Sequence, residues 1–217
     1  PLRTLRIVRT NHKSLPKNSN LEGDKEEVCR EMIKTKWIDR ELKYDGLQLC
    51  SSFIRNETGI EGDAIVAFIG PADVPIEHMV DLEDVATNAP IFSRSMLHFI
   101  VAHSSRDLAL AVARQRLLVS IAADELRAMT KGYPIERVGD DIMDGEYKIS
   151  VSIATLSPSS SLIHFAMNII SVGTPVKTRG LADYSVDPKK IGESILTKYA
   201  NEIHTMQHAV EKVRFVD

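Results

Sequence analysis

The chain has 217 residues, enough for one sizeable core, and sets 27 Lys and Arg against 30 Asp and Glu for a formal charge of −3. That balance argues against bulk nucleic-acid binding, and no apolar run nears the roughly 18 residues that span a bilayer. Cys29 and Cys50 are the only cysteines, too few for a disulfide framework or a zinc site, and no secretory leader is read; the expectation is a reduced, cytoplasmic protein that needs no metal to fold.

Residues 1–22 are expected to form a basic flexible arm and residues 23–217 a single domain. Among residues 1–20, Arg3, Arg6, Arg9, Lys13 and Lys17 face no acid, which suits a solvated tail as well as an interaction arm. Gly23 to Lys36 is read as a short helix, and Trp37 to Tyr44 as a weakly alternating strand before the turn signal Asp45-Gly46. Ala64 to Ile69 is apolar on both faces and predicts a central strand stopped by Gly70-Pro71. Residues 70–95 read as loop. They carry Asp81, Glu83 and Asp84, which are either a solvated acidic stretch or Mg²⁺ ligands. Met96 to Ala102 predicts another strand.

Ser105 to Met129 gives the clearest helix, with Ser104 or Ser105 as its cap and apolar residues around most of its circumference. Arg114 falls between the two apolar sectors. It either snorkels at the helix edge or needs an anionic partner, a carboxylate or a ligand.

Arg137 to Phe165 is read as a hairpin and a third strand. Asp144-Gly145 suits a two-residue turn. From Tyr147 the alternation puts Lys148, Ser150 and Ser152 on one face and Tyr147, Ile149, Val151 and Ile153 on the other. That hydroxyl-and-lysine face, beside Asp140 and Asp141, is either an anion-binding floor or an ordinary solvated face. Ser157-Pro-Ser-Ser-Ser161 is a turn rich in donors. His164 then lies inside an apolar strand, where either a core role or a site role is open. The last helix begins at Asp187 and Pro188, with a stripe through Ile191, Ile195, Leu196, Tyr199, Ile203, Met206 and Val210. His204 and His208 at i,i+4 fall on its polar end, where no metal site is expected. Strands and helices mix without βαβ alternation, so the fold expected is α+β with a mostly antiparallel sheet flanked by helices.

No glycine-rich dinucleotide motif, P-loop or nucleophile elbow is present. The stretches Lys43 to Leu49, Gly62 to Pro71, Met79 to Asp84, Met96 to Ile100, Gly139 to Ile142 and Lys148 to Thr155 resemble an uncharacterised, largely archaeal domain-of-unknown-function family. More distantly, the order helix, Gly-Asp-Asp-Ile, turn, Lys148-Ile-x-x-Ser, Ser-rich loop and His-containing strand resembles the lipoate and biotin protein ligases. This resemblance implies the α+β fold shared with class II aminoacyl-tRNA synthetases. It implies Lys148 as the lysine that contacts an acyl-adenylate, Asp140 and Asp141 as the acidic pair, and His164 as the third-strand histidine. The sequence departs from those ligases where their glycine-rich adenylate loop stands: residues 78–99 hold no glycine. Ser150 also replaces a small glycine.

The expected site is therefore Arg114, Asp140, Asp141, Lys148, Ser150 and His164, with Lys148 as the candidate catalytic residue. The favoured function is a binding protein for a small anionic or acyl ligand. An acyl-adenylate or acyl-transfer enzyme using Lys148 is the alternative, and a structural or interaction protein the third possibility. No cofactor is named by the sequence, no membrane or nucleic-acid partner is expected, and the oligomeric state is open.

Overall fold

The computed structural model describes residues 33–216. The basic arm and most of the expected Gly23–Lys36 helix lie outside the described residues. The end of that span is a strand, not a helix: β1 is Lys34–Trp37, followed by the short helix α1, Phe53–Thr58. Next come β2 (Ala64–Val74), a single 3-10 turn at Ile76–His78, α2 (Leu82–Thr87), β3 (Ile91–His103) and α3 (Leu108–Met129). The chain then runs through β4 (Ile135–Val138), β5 (Asp141–Asp144), β6 (Tyr147–Lys148), β7 (Ser150–Leu156), β8 (Ser161–Asn168) and α4 (Pro188–Glu211).

The main sheet has the order β1-β2-β3-β8-β7; only the β1–β2 pair is parallel. A second sheet, β4-β5-β6, is an antiparallel meander. One face of the main sheet packs on α3 and α4, joining Ile65, Leu97, Phe99, Ile163 and Phe165 to Leu118, Val119, Ala122, Leu126, Ile191, Ile195 and Tyr199. The other face meets α1 and residues 38–54 through Val66, Phe68, Ile100, Tyr44, Phe53 and Ile54. This is the α+β class expected from the sequence. No helix among the described residues is long and apolar enough to cross a membrane.

Several local expectations change. β2 does not stop at Gly70-Pro71 but passes through a bulge there and continues to Val74; proline is tolerated in a strand at a bulge, where no ladder donor is required. The span 70–95 is therefore not one loop. Asp81 caps α2, accepting from the Glu83 and Asp84 N–H groups, so part of the acidic cluster is helix-start chemistry. The cap of α3 is Asp107, whose carboxylate accepts from Leu110 N–H at 3.0 Å, rather than Ser104 or Ser105. α3 is less enclosed than expected, since Leu108 and Val112 are exposed. Asp187 and Pro188 start α4 as read, though Val210 ends outside its buried stripe.

The hairpin turn is shifted by one residue. Asp144 pairs with Tyr147, so the two loop residues are Gly145 and Glu146, with Gly145 at φ 58°. The strand read as continuous from Tyr147 is broken at Ile149. Its N–H donates to Ile142 O and its carbonyl accepts from Asn168 N–H, so one residue passes the chain from the small sheet to the large one.

Candidate functional site

A cleft of about 650 Å³ opens on the sheet face opposite α3 and α4, within the size range of small-molecule sites. Its floor comes from the sheet. Ile153 pairs with His164, and Val151 with Ala166, so the apolar side of β7 faces the cleft while Ser150 and Ser152 share the opposite face with Met167 and Phe165. Val74, Met96 and Tyr44 extend the floor, and residues 78–93 and 174–178 form its walls. The hairpin contributes Asp140, Asp141 and Lys148 at one side.

Four of the expected residues, Asp140, Asp141, Lys148 and His164, line this cleft together. Lys148 Nζ lies 2.9 Å from Asp141 Oδ2, and both side chains are about a third exposed. Burial pushes the Asp141 carboxyl above its usual range against the pull of Lys148. Asp84 is raised as well, by burial and by the neighbouring Asp81 carboxylate. Asp140 is held from α3: Gln115 Nε2–H donates to Asp140 Oδ2 at 3.1 Å, and Arg116 Nη2 lies 3.4 Å from Oδ1. With Asp81, Glu83 and Asp84 on the wall, carboxylates outnumber the single lysine.

The other two expected residues are elsewhere. Ser150 is fully buried, and its hydroxyl accepts from Ile142 N–H at 2.8 Å; it locks the two sheets together rather than lining the cleft. The break at Ile149 is the reason, because it changes the step of the alternation between Lys148 and Ser150. Arg114 projects from the helix side and is also absent from the cleft; its Nη1–H donates to Ser105 Oγ at 2.9 Å. Ser152 sits at the rim, donating to Asp140 O at 3.0 Å and accepting from Gln115 at 2.7 Å.

Behind the floor is an aromatic stack that sequence reading did not assemble. Tyr44 stacks on His164 at 3.8 Å between ring centroids, and His98 stacks between Tyr44 and Phe68. Hydrogen bonding fixes the imidazole tautomers. Gly70 O is 3.2 Å from His98 Nε2 and can only accept, so that nitrogen carries the proton. His98 Nδ1 is then bare and accepts from His164 Nε2–H at 3.1 Å. His164 Nε2 therefore carries its ring's proton, and Nδ1 is the unprotonated nitrogen. Burial keeps both rings neutral: His98 is lowered to about 4 and His164 well below the ordinary imidazole range. Asn168 and Thr178 add polar groups to the lining. Tyr44 and His98 carry no local sequence signal for this role, since strand pairing brings them in from distant segments.

These neutral imidazoles give stability a pH dependence of fixed sign. The unfolded chain binds protons near pH 6.5 that the folded His98 does not, so stability is complete above about pH 6.5 and falls as pH drops toward 4. His98 alone accounts for a loss of about 3 kcal/mol across that window. A series of melting temperatures against pH should show the fall beginning near 6.5, with a shallower slope in His98→Gln. An identical slope in the variant would place the proton uptake on other groups.

Among the described residues no cluster of three or more His, Cys, Asp or Glu is arranged to hold a metal. His204 and His208 meet edge to face at 5.4 Å on the outer end of α4.

Comparison with known proteins agrees with this architecture. A family described as "Domain of unknown function (DUF366)" matches residues 33–214. The uncharacterized protein MJ0805 of Methanocaldococcus jannaschii is 32% identical over 183 residues, covering 81% of this chain and 82% of its own. A solved structure titled as a protein of unknown function from Pyrococcus horikoshi superposes with a TM-score of 0.81 at 34% identity, over 85% of this chain and all of its own. Two further structures share the fold. One is Ta0514 of T. acidophilum with bound lipoic acid, titled a lipoate protein ligase candidate (TM-score 0.52, 16% identity, 79% of this chain and 86% of that one). The other is the biotin protein ligase of Aquifex aeolicus (TM-score 0.53, 12% identity, 82% and 72%).

Proposed function

We propose that this chain, which belongs to the DUF366 family, is a small-molecule binding protein whose ligand has an apolar body and an anionic head. The observation that carries the reading is the cleft itself: an apolar floor of Val151, Ile153, Met96 and Val74 with one lysine, Lys148, at its side. An acyl chain would bury apolar area on that floor, and its carboxylate would displace Asp141 or share Lys148 with it. Burial disfavours the charged form of Asp141, which weakens its competition with such a head for Lys148. The fold likeness to a protein with bound lipoic acid and to a biotin ligase supports the ligand class.

An acyl-adenylate or acyl-transfer enzyme is the second reading, in which Lys148 would neutralise charge developing on a phosphate or carbonyl oxygen. Asp81, Glu83 and Asp84 on the cleft wall count against it, because they repel a triphosphate unless Mg²⁺ bridges them. The chain also lacks glycine across residues 78–99.

The experiment is a thermal-shift series with lipoate, biotin, octanoate, ATP and an acyl-CoA, on wild type and Lys148→Ala. At a hundredfold excess over Kd a bound ligand adds about 2.7 kcal/mol of stability. An apolar carboxylate should raise Tm in wild type and lose that effect in Lys148→Ala, while ATP gives no shift. ATP–pyrophosphate exchange should be absent with each carboxylate. Rapid exchange that disappears in Lys148→Ala would establish the enzyme reading instead, and no shift with any apolar acid would reject both.

A further inference from the structure

The two edges of the main sheet are defended differently. β1, at one edge, carries Lys34 and Lys36. Charged side chains, lysine above all, are the usual guard against pairing with another chain. β7, at the other edge, has no such guard. From Ile149 to Ser161 there is no Asp, Glu, Lys or Arg, and the single proline, Pro158, falls in the turn after the strand. Nor does a bulge twist this edge away, since the register of β7 on β8 runs unbroken from Ser150 to Leu156.

In an antiparallel ladder, alternate residues turn both backbone groups toward the neighbouring strand. Asn168 N–H donates to Ile149 O at one end of the β7–β8 ladder, and Ser157 N–H donates to Ser160 O at the other. Both bonds put the odd-numbered residues inward. Val151, Ile153 and Thr155 therefore bond to β8, while Ser152, Ala154 and Leu156 turn N–H and C=O outward. Ser152 lies beside Asp140, whose carbonyl accepts from its hydroxyl at 3.0 Å. The outward groups of Ala154 and Leu156 meet no partner among the described residues. An apolar margin follows the same edge on the helix side. Gln115 donates to Ser152 Oγ and Arg106 Nε–H to Ser157 O, so the first half of α3 runs along β7. Within that half Leu108 and Val112 are exposed, as is Leu156 on the strand.

We propose that β7 is a self-pairing edge, through which two copies of this chain join their main sheets about a two-fold axis at Thr155. Ala154 exchanges both backbone hydrogen bonds with Leu156 of the partner subunit, and Leu156 does the same with the partner subunit's Ala154. A second copy is favoured over a foreign strand because this edge is complementary to itself. Each free donor meets a free acceptor of the same two residues, as a two-fold contact requires. The large Leu156 lies beside the small Ala154, Thr155 opposes Thr155, and no like charges face each other across the pair. Leu108, Val112 and Leu156 lose exposed apolar area in the same contact. Val151 and Ile153 keep their place on the cleft floor, so both clefts open on one face of the joined sheet. The pairing is independent of what the cleft binds.

Sedimentation equilibrium of the full chain should give twice the chain mass, falling toward the single mass on dilution. Residue-resolved hydrogen exchange should find the Ala154 and Leu156 N–H groups protected in the dimer and open when it dissociates. Ala154→Pro removes an outward donor and leaves the β8 ladder its bonds, because proline is tolerated on the open side of an edge strand. It should be a folded monomer. Leu156→Lys supplies the missing guard and should also be monomeric, which decides the matter should Ala154→Pro fail to fold. A wild type that is monomeric at every concentration, whether or not its edge takes up an extended peptide, would overturn the proposal. So would a dimer that both variants leave intact, or protection at Ala154 and Leu156 that does not change with concentration.

Discussion

Replacing Asp144 by alanine should remove about 3 kcal/mol of stability, read as a lowered urea midpoint with an unchanged m value. Asp144 is 4% exposed and accepts from two groups, Arg179 Nη1–H and the Tyr184 hydroxyl at 2.9 Å. Arg179 in turn lies 4.5 Å over the Tyr147 ring. Alanine would leave the buried Tyr184 hydroxyl without its acceptor and Arg179 without its counter-charge. The loss sits at the low end of that for a wholly buried pair because the Arg179 side chain is 35% exposed. Asp144→Asn keeps an acceptor for Tyr184 and should lose less. A change in Asp144→Ala within about 0.5 kcal/mol, the range of ordinary surface substitutions, would mean that the cluster contributes nothing to stability. The effect should reach the cleft too, since Arg179 N–H donates to Lys148 O and Lys148 N–H to Lys177 O.

Gly70→Ala should be comparably severe. A Cβ at residue 70 would fall 1.8 Å from Leu42 O, closer than any real contact, and the obstacle is backbone rather than a flexible side chain. Leu42 N–H donates to Ile69 O and Tyr44 N–H to Pro71 O, so residues 42–44 run tightly along β2. Making room requires moving that segment, at a cost of about 3 kcal/mol or more for an overpacked site. Tyr44 would withdraw from His164, and the Gly70 carbonyl that orients His98 would shift. Urea unfolding should report the lost stability, and ligand-induced thermal shifts should weaken in step. A variant with wild-type stability and an undisturbed Tyr44–His164 stack would contradict the close approach.

The fold was legible wherever one period ran long enough. The apolar residues of α3 and α4, and the apolar runs within β2, β3 and β8 that His98 and His164 interrupt in the last two, mark those elements. Asp187-Pro188 marks a helix start because both residues act locally. The bulge at Gly70-Pro71 and the offset of the 145–146 turn were not legible, because tertiary partners decide them: the Leu42 backbone in one case, Arg179 and Tyr184 drawing Asp144 inward in the other. Within the cleft, Asp140, Asp141, Lys148 and His164 lie close in sequence and could be read as a group. Tyr44 and His98 could not, since His98 reaches His164 across 66 residues of chain. Arg114 was read as either snorkelling or meeting an anionic partner; its Nη1–H donates to Ser105 Oγ and it does not line the cleft, because a helical period says nothing about which face of a sheet the helix covers.

Ile149 takes part in both ladders, with Ile142 on one side and Asn168 on the other, and its side chain is fully buried in the large core. A residue shared in this way cannot leave one sheet while staying in the other. The hairpin that carries Lys148 is therefore not a separately melting flap. Its opening is coupled to loss of the central ladder, so the protein unfolds through this region as one cooperative unit, and the lysine is presented from rigid ground.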